Sequence, residues 1–174
     1  CEGEPLLQVD LLEQAIGEIR KKTSRGTINI NTNGGSPAAM ERLFAAGLDS
    51  IRVSLNSTDS ERYRRYYRPS GYAFPRVEES LAVASERGVR VSLNLLVMPG
   101  ATDTESELEG IIRLVRKHSI TQIQLRNLNL DPDSFFRMMP PSRGRRLGIP
   151  GMLARLERNL PGVSLGAFTP PLRP

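Results

Sequence analysis

Strand-like and helix-like stretches alternate through most of this 174-residue chain, and this alternation constrains the fold more than any other feature. Apolar or β-branched residues alternate with polar ones, as is typical of strands, at residues 27–35, 50–56, 89–97 and 121–128. Amphipathic or capped segments typical of helices occupy residues 9–25, 36–44 and 75–87 and a stretch that begins at Thr102. Strands joined by covering helices form a parallel sheet with right-handed crossovers. The sequence therefore predicts an α/β fold.

Polar residues follow the predicted strands, at the place where sites form in parallel sheets. They are mostly neutral: Thr32, Asn33, Ser54, Asn56, Asn94, Gln124 and Arg126. A turn of Gly3, Glu4 and Pro5 enters the first helix in the same way, and its glycine allows a ligand to approach the main chain closely. We therefore expect a strand before Cys1, and the chain to be part of a longer protein.

The end of the chain differs in composition from the rest. Residues 131–150 are rich in Pro, Arg and Met and predict a loop or lid. A last helix is expected over residues 151–159 and a short strand over residues 162–168. We interpret residues 1–130 as the core domain and residues 131–174 as a C-terminal loop, short helix and tail.

Composition excludes several classes of protein. The chain has a single cysteine, Cys1, and a single histidine, His118, so a disulfide framework and a cysteine-built zinc site are excluded. No apolar run reaches the ~20 residues of a membrane helix and no secretory signal is visible, so we expect a cytoplasmic protein without membrane contact. The net charge of +5 is spread along the chain and aromatic residues are few, which disfavours nucleic-acid binding.

Four motifs occur in order, each at the end of a predicted strand. They are Gly-Glu-Pro at residues 3–5, Thr-Asn-Gly at 32–34, Val-Ser-Leu-Asn-Ser at 53–57 and Leu-Val-Met-Pro-Gly-Ala-Thr-Asp at 96–103. In this order they resemble the radical S-adenosylmethionine (SAM) enzymes, in the branch similar to molybdenum-cofactor biosynthesis protein A. The resemblance covers about residues 1–130.

The resemblance implies a partial (β/α)6 barrel, here truncated at its N-terminus, and an oxidoreductase that uses SAM and a [4Fe–4S] cluster. Such enzymes cleave SAM reductively to a 5′-deoxyadenosyl radical, which abstracts hydrogen from a substrate. Their cluster is held by a Cys-x3-Cys-x2-Cys loop, which this sequence lacks. We therefore expect the cluster ligands upstream of residue 1, no catalytic residue or metal ligand in this chain, and no turnover by the chain alone.

The resemblance also implies roles for single residues. Gly3 and Glu4 would offer main-chain groups to the SAM ammonium, with Pro5 shaping the turn. The other implied SAM contacts are Thr32, Asn33, Ser54, Asn56, Asn94, Met98 and either Arg64 or Arg68. Substrate contacts would come from Gln124, Arg126 and Asn127 and from the loop at residues 131–146.

Two alternatives stay open at this point. A non-catalytic domain could bind a partner or nucleic acid through its basic residues. A cluster-free barrel enzyme, such as an aldolase, would need a lysine or paired acids at strand ends, but Lys21, Lys22 and Lys117 all lie on predicted helices. For the radical SAM interpretation we expect a small-molecule or peptide substrate and an electron donor such as flavodoxin or ferredoxin. Self-association is also expected, through an exposed sheet edge at the strand of residues 27–35.

Overall fold

A five-stranded sheet lies at the centre of the computed structural model, which describes residues 3–166. Its strands are β1 (Asn29–Thr32), β2 (Ser50–Leu55), β3 (Arg90–Val97), β4 (Gln122–Asn127) and β5 (Ser164–Leu165). The strands pair in chain order and every pairing is parallel. Because each crossover advances the sheet in the same direction, the arrangement is that of a partial barrel. The predicted α/β fold is confirmed.

Seven α-helices connect and cover the strands of the described chain. They are α1 (Val9–Lys22), α2 (Pro37–Ala46), α3 (Ser60–Tyr67), α4 (Phe74–Glu86), α5 (Glu105–Lys117), α6 (Pro132–Met138) and α7 (Gly148–Asn159), and a 3-10 turn (Pro5–Gln8) precedes α1. Their ends differ from the predicted ones by a few residues. The first helix, for example, stops at Lys22 because Thr23 is extended. The end of the predicted last strand, at residues 167–168, and Cys1 lie outside the described residues.

Capping explains where the helices begin and end. The Ser36 hydroxyl accepts a hydrogen bond from the Ala39 amide (3.3 Å), and Pro37 occupies the first position of α2. That helix ends at Gly47, whose φ of +108° lies in the left-handed region. The Asp59 carboxylate accepts from the Arg62 amide (2.9 Å) at the start of α3. These caps were readable from the sequence because each involves residues a few positions apart.

The prediction of a loop or lid at residues 131–150 was wrong in part. Residues 132–138 form α6, whose N-terminus is capped by the Asp131 carboxylate accepting from the Ser134 amide (2.8 Å). The segment after it is hydrogen-bonded to the loop that follows β3. Glu105 N donates to Arg145 O (3.0 Å), and Leu147 N donates to Asp103 O (2.9 Å). The segment is thus docked on the core by backbone hydrogen bonds.

The two faces of the sheet differ in chemistry. Alternate strand residues such as Ile51, Leu93 and Ile123 are fully buried in one core with apolar residues of the helices, and we call this side the outer face. Apart from Leu96, the residues between them are polar on the opposite, inner face, where Ser54 and Asn94 are half-buried. Parallel sheets are usually apolar on both faces. A polar inner face therefore indicates a binding surface.

The first strand, β1, lies at the edge of the described sheet. This is the position expected for the predicted exposed edge, while the predicted self-association stays a prediction. Within residues 3–166, no helix combines the length and the apolar character needed to cross a membrane.

Candidate functional site

An open cleft of about 880 Å³ lies at the carboxyl ends of the first three strands, beside the edge of β1. Its wall contains seven of the residues that the sequence assigned to SAM. They are Gly3, Glu4, Pro5, Thr32, Asn33, Ser54 and Asn94. The fold thus brings together residues that lie more than 90 positions apart in the chain.

The Glu4 side chain ties the first turn to the end of β1. Its Oε1 accepts hydrogen bonds from the Leu6 amide (3.1 Å) and the Thr32 hydroxyl, and its Oε2 accepts from the Asn33 amide (2.7 Å). We call this set of contacts the Glu4 clamp. It fixes the main chain at Gly3 and Glu4 against β1. The Glu4 carboxylate and the Thr32 hydroxyl are both engaged in these hydrogen bonds. The role of these two side chains is therefore to hold the cleft together.

The turn after β1 needs its glycines. Thr32 Oγ1 accepts from the Gly34 amide (3.0 Å), and Asn33 Oδ1 accepts from the Gly35 amide (2.8 Å). Gly34 has a φ of +72°, and a Cβ on Gly35 would lie 2.8 Å from the ring of Tyr72. Any side chain at residue 35 would therefore displace Tyr72, and a change there would disturb the cleft wall.

Ser54 and Asn94 form the floor of the cleft on the inner face. They are partners in the register of β2 and β3, and Asn94 Nδ2 donates to Ser54 Oγ (3.5 Å). The next residue in the same register is the buried Gln124 of β4. A row of neutral hydrogen-bonding groups therefore crosses three strands.

Three of the assigned SAM contacts lie away from the cleft. Asn56 is buried beyond the end of β2, where the chain turns towards α3, and its Nδ2 donates to Arg62 O (3.5 Å). Met98 is buried in a separate apolar cluster with Phe135. Arg68 ends α3 in the left-handed conformation (φ 45°), and its Nη2 lies 3.9 Å from Met138 Sδ. The structure does not bring these three residues together with the others.

The alternative arginine, Arg64, is also engaged elsewhere. Its guanidinium donates to the Glu61 carboxylate at 2.9 and 2.8 Å on the exposed side of α3. These bonds, with those from Arg65, lower the pKa of Glu61 to about 2.

The assigned substrate contacts divide between the two faces. Gln124 and Arg126 share the inner face, and Arg126 Nη2 donates to Gln124 Oε1 (3.4 Å). Asn127 is the last residue of β4, is exposed and pairs in register with Val97, a residue of the outer face. Alternation along the strand therefore separates Asn127 from the other two.

Sequence reasoning missed Tyr67, which also lines the cleft. Its ring centroid lies 4.6 Å from that of Tyr63 and 4.8 Å from that of Tyr66, and burial raises the pKa of its hydroxyl. Tyr63 and Tyr67 are four positions apart, so they lie on the same side of a helix. This spacing was the signal from which an inward-facing aromatic side of α3 could have been predicted.

A buried carboxylate supports the loop after β2, and the sequence did not reveal it. Glu107 of α5 accepts from the Ser57 hydroxyl (2.7 Å) and the Thr58 amide (2.7 Å), and Arg62 Nη1 lies 3.9 Å from it. Burial raises the pKa of Glu107, although these neighbours act in the opposite direction. In the sequence, Glu107 is one of several acids near a helix start.

The comparisons with known proteins decide the family. The sequence profile of the Radical SAM superfamily matches residues 1–115. The chain belongs to this superfamily. The GTP 3′,8-cyclase of Rhizobium etli (strain CIAT 652) is 27% identical over 97% of this chain and 52% of its own length. That of Corynebacterium glutamicum (strain R) is 35% identical over 59% of this chain and 28% of its own.

These relatives confirm the predicted branch of the radical SAM superfamily, and the chain spans about half, or less, of their length. Solved structures confirm the fold. A domain of the pyruvate-formate lyase-activating enzyme from Bacteroides vulgatus gives a TM-score of 0.68 at 12% identity, covering 97% of this chain and 96% of that one. Streptococcus suis SuiB bound to S-adenosylmethionine gives 0.61 at 15% identity, covering 96% of this chain and 36% of that one.

Proposed function

We propose that this chain is the SAM-binding part of a radical SAM oxidoreductase whose reaction is the reductive cleavage of SAM to a 5′-deoxyadenosyl radical, followed by hydrogen abstraction from a substrate. The observation that carries the proposal is the cleft. It joins the clamped Gly-Glu-Pro turn to the inner-face pair Ser54 and Asn94, within the residues that match the family profile.

The residues of the cleft fit SAM in their chemistry. SAM has a zwitterionic amino-acid end and a polar ribose, which neutral hydrogen-bonding groups can hold without strong counter-charges. Main-chain groups at Gly3 and Glu4 would bind its ammonium, and Ser54 and Asn94 would bind its polar oxygens. The ring of Tyr67 would exclude water on one side of the cleft. Exclusion of water protects a reactive intermediate from side reactions.

The residues of this chain do not fit the iron–sulfur cluster. The sequence has one cysteine, and residues 3–166 contain no group of three or more His, Cys, Asp or Glu side chains that could hold a metal ion. We therefore assign no step through the cluster to these residues. An electron donor such as flavodoxin or ferredoxin would serve the whole enzyme. Because the curated relatives are named as GTP 3′,8-cyclases, GTP is the first substrate to test.

Equilibrium dialysis of radiolabelled SAM against the 174-residue chain tests the proposal. We expect binding by the unsubstituted chain and, because two hydrogen bonds are lost, about tenfold weaker binding by the double variant Ser54→Ala/Asn94→Ala. Ser60→Ala is the matched control, since Ser60 is exposed at the start of α3 outside the cleft.

Absence of SAM binding, or equal binding by the double variant, would sink the proposal. Binding of a single-stranded oligonucleotide that weakens steeply with salt would instead favour the nucleic-acid alternative.

A further inference from the structure

All four tyrosines of the chain lie between residues 63 and 72, and their rings form one cluster at the end of α3. The ring centroid of Tyr63 lies 4.6 Å from that of Tyr67 and 6.4 Å from that of Tyr72. The ring of Tyr66 stands at 90° to that of Tyr67, at a centroid distance of 4.8 Å. Aromatic rings in such arrangements attract one another. The position of each ring is therefore set by its neighbours.

The hydroxyl groups of this cluster differ in their hydrogen bonding. Those of Tyr63 and Tyr72 share a hydrogen bond of 3.3 Å. The hydroxyl of Tyr67 is buried and has no hydrogen-bond partner, although Tyr67 lines the cleft. Within residues 3–166, no other buried side-chain atom that lacks a partner belongs to a residue of the cleft wall.

A buried hydroxyl without a partner destabilises the folded chain, because it has lost its hydrogen bonds to water. A molecule bound in the cleft can supply the missing partner and remove that cost. Burial raises the pKa of the Tyr67 hydroxyl, and the neighbouring Tyr66 and Tyr72 act in the same direction. The hydroxyl therefore keeps its proton at neutral pH and offers a donor, so its partner must be an acceptor.

The cleft wall itself does not supply this acceptor. Its one carboxylate, among the described residues, belongs to Glu4, and both oxygens of that carboxylate already accept hydrogen bonds in the Glu4 clamp. An acceptor for Tyr67 has to come from the bound molecule. SAM carries suitable oxygens at both of its ends, in the carboxylate of its amino-acid part and in the hydroxyls of its ribose.

We propose that Tyr67 is a SAM-binding residue: when SAM binds, the Tyr67 ring turns its hydroxyl into the cleft and donates a hydrogen bond to a carboxylate or ribose oxygen of SAM. This inference rests on the proposed function and deepens it. It adds a residue that neither the four sequence motifs nor the family resemblance assigned to the site.

Equilibrium dialysis with radiolabelled SAM tests the contact. Tyr67→Phe keeps the ring and removes only the hydroxyl, so we expect about tenfold weaker binding than by the unsubstituted chain. Tyr66→Phe is the matched control, because Tyr66 lies on the same helix but packs against the separate apolar cluster of Met98 and Phe135. It should bind SAM like the unsubstituted chain.

Urea unfolding without SAM distinguishes a binding role from a structural one. The midpoint of Tyr67→Phe should equal or exceed that of the unsubstituted chain, because the variant no longer buries a hydroxyl without a partner. Tyr63→Phe should have a lower midpoint, because Tyr72 loses its hydrogen-bond partner. Weaker SAM binding without any loss of stability is not expected of a residue that only supports the fold.

Tyrosine fluorescence provides a direct readout of the ring. The chain has no tryptophan, so its emission comes from this cluster alone. SAM should change the emission of the unsubstituted chain and of Tyr66→Phe, and the change should be smaller in Tyr67→Phe. Dialysis with L-methionine and with 5′-methylthioadenosine then separates the two ends of SAM. Weaker binding of either fragment by Tyr67→Phe supports the contact and identifies the oxygen as carboxylate or ribose.

The outcomes separate this inference from the proposed function. Equal SAM binding by Tyr67→Phe and the unsubstituted chain would overturn the role of Tyr67 and leave the proposed function in place. A lower urea midpoint for Tyr67→Phe would also overturn it, because the hydroxyl would then stabilise the fold. Absence of SAM binding by the unsubstituted chain would refute both.

Discussion

The outer and inner faces of the sheet are made from alternate residues of the same strands, yet they serve different purposes. Leu93 faces the helices and is fully buried, whereas its neighbour Asn94 is half-buried and lines the cleft. Because side chains alternate along a strand, a shift of one residue moves a side chain from the stabilising face to the binding face. Each strand thus supports the core with one set of residues and the site with the other.

The largest effect on the free energy of unfolding is expected at the outer face. It is seen by comparing a substitution there with one at the neighbouring residue on the inner face. Leu93→Ala should lower the free energy of unfolding by about 2–5 kcal/mol, because it leaves a cavity in a closely packed core. Asn94→Ala should lower it by less than about 1 kcal/mol, because it removes one long hydrogen bond at a half-buried position. Urea unfolding followed by circular dichroism measures both. Similar losses in the two variants would show that the faces do not differ in this way.

A smaller effect on the free energy of unfolding is expected from the Glu4 clamp, which joins the first turn to the end of β1. Glu4→Ala removes the acceptor of the Thr32 hydroxyl and the Asn33 amide and should cost about 1–3 kcal/mol of unfolding free energy. Hydrogen exchange at the Asn33 amide should become faster at the same time. Glu18→Ala is the control, because Glu18 is exposed and forms an ion pair with the exposed Lys21. If Glu4→Ala and Glu18→Ala behave alike, the Glu4 clamp does not stabilise the site.

The smallest effect concerns a charge buried within the helical layer, Glu107. The pKa of Glu107 is raised in the folded chain. At pH values between the unfolded-state pKa and the folded-state pKa, the folded chain therefore holds a proton that the unfolded chain has released. Its contribution to stability is therefore complete below the ordinary carboxyl pKa and is lost as the pH rises through the folded-state pKa. The slope is at most about 1.4 kcal/mol per pH unit.

Glu107→Gln should remove that pH-dependent loss. Measured from acidic to neutral pH, the urea midpoint of the unsubstituted chain should fall relative to that of the variant, because only the unsubstituted chain carries the Glu107 carboxyl group. Glu109→Gln, on an exposed position of the same helix, should keep the original slope. Parallel profiles for Glu107→Gln and the unsubstituted chain would contradict the raised pKa.

Much of the fold was predictable because its signals are short in range. The alternation over residues 50–56 predicted β2, and Ser36 with Pro37 predicted the start of α2. The helix α6 was missed because it has only seven residues, in a segment rich in Pro and Met. Seven of the residues assigned to the cofactor line one cleft, since parallel strands all end at the same edge of a sheet.

The positions that sequence reasoning placed differently share a physical cause. Asn56 has the same parity as Ser54, but β2 ends at Leu55, so the chain turns before the alternation can bring Asn56 to the inner face. Met98 follows β3 in a motif of the family, yet it packs with Phe135 of a helix that the sequence did not predict. Where a strand stops depends on packing by distant segments, which local patterns do not record.

By itself, the sequence determined the alternation of strands and helices, the division of each strand into an apolar and a polar set, and the family to which the chain belongs. These properties depend on residues a few positions apart. Only the tertiary structure decided that Glu4 joins the end of β1 and that Glu107 holds the loop after β2. Such contacts join residues 28 to 50 positions apart, and their strength depends on burial and distance, which exist only in the folded chain.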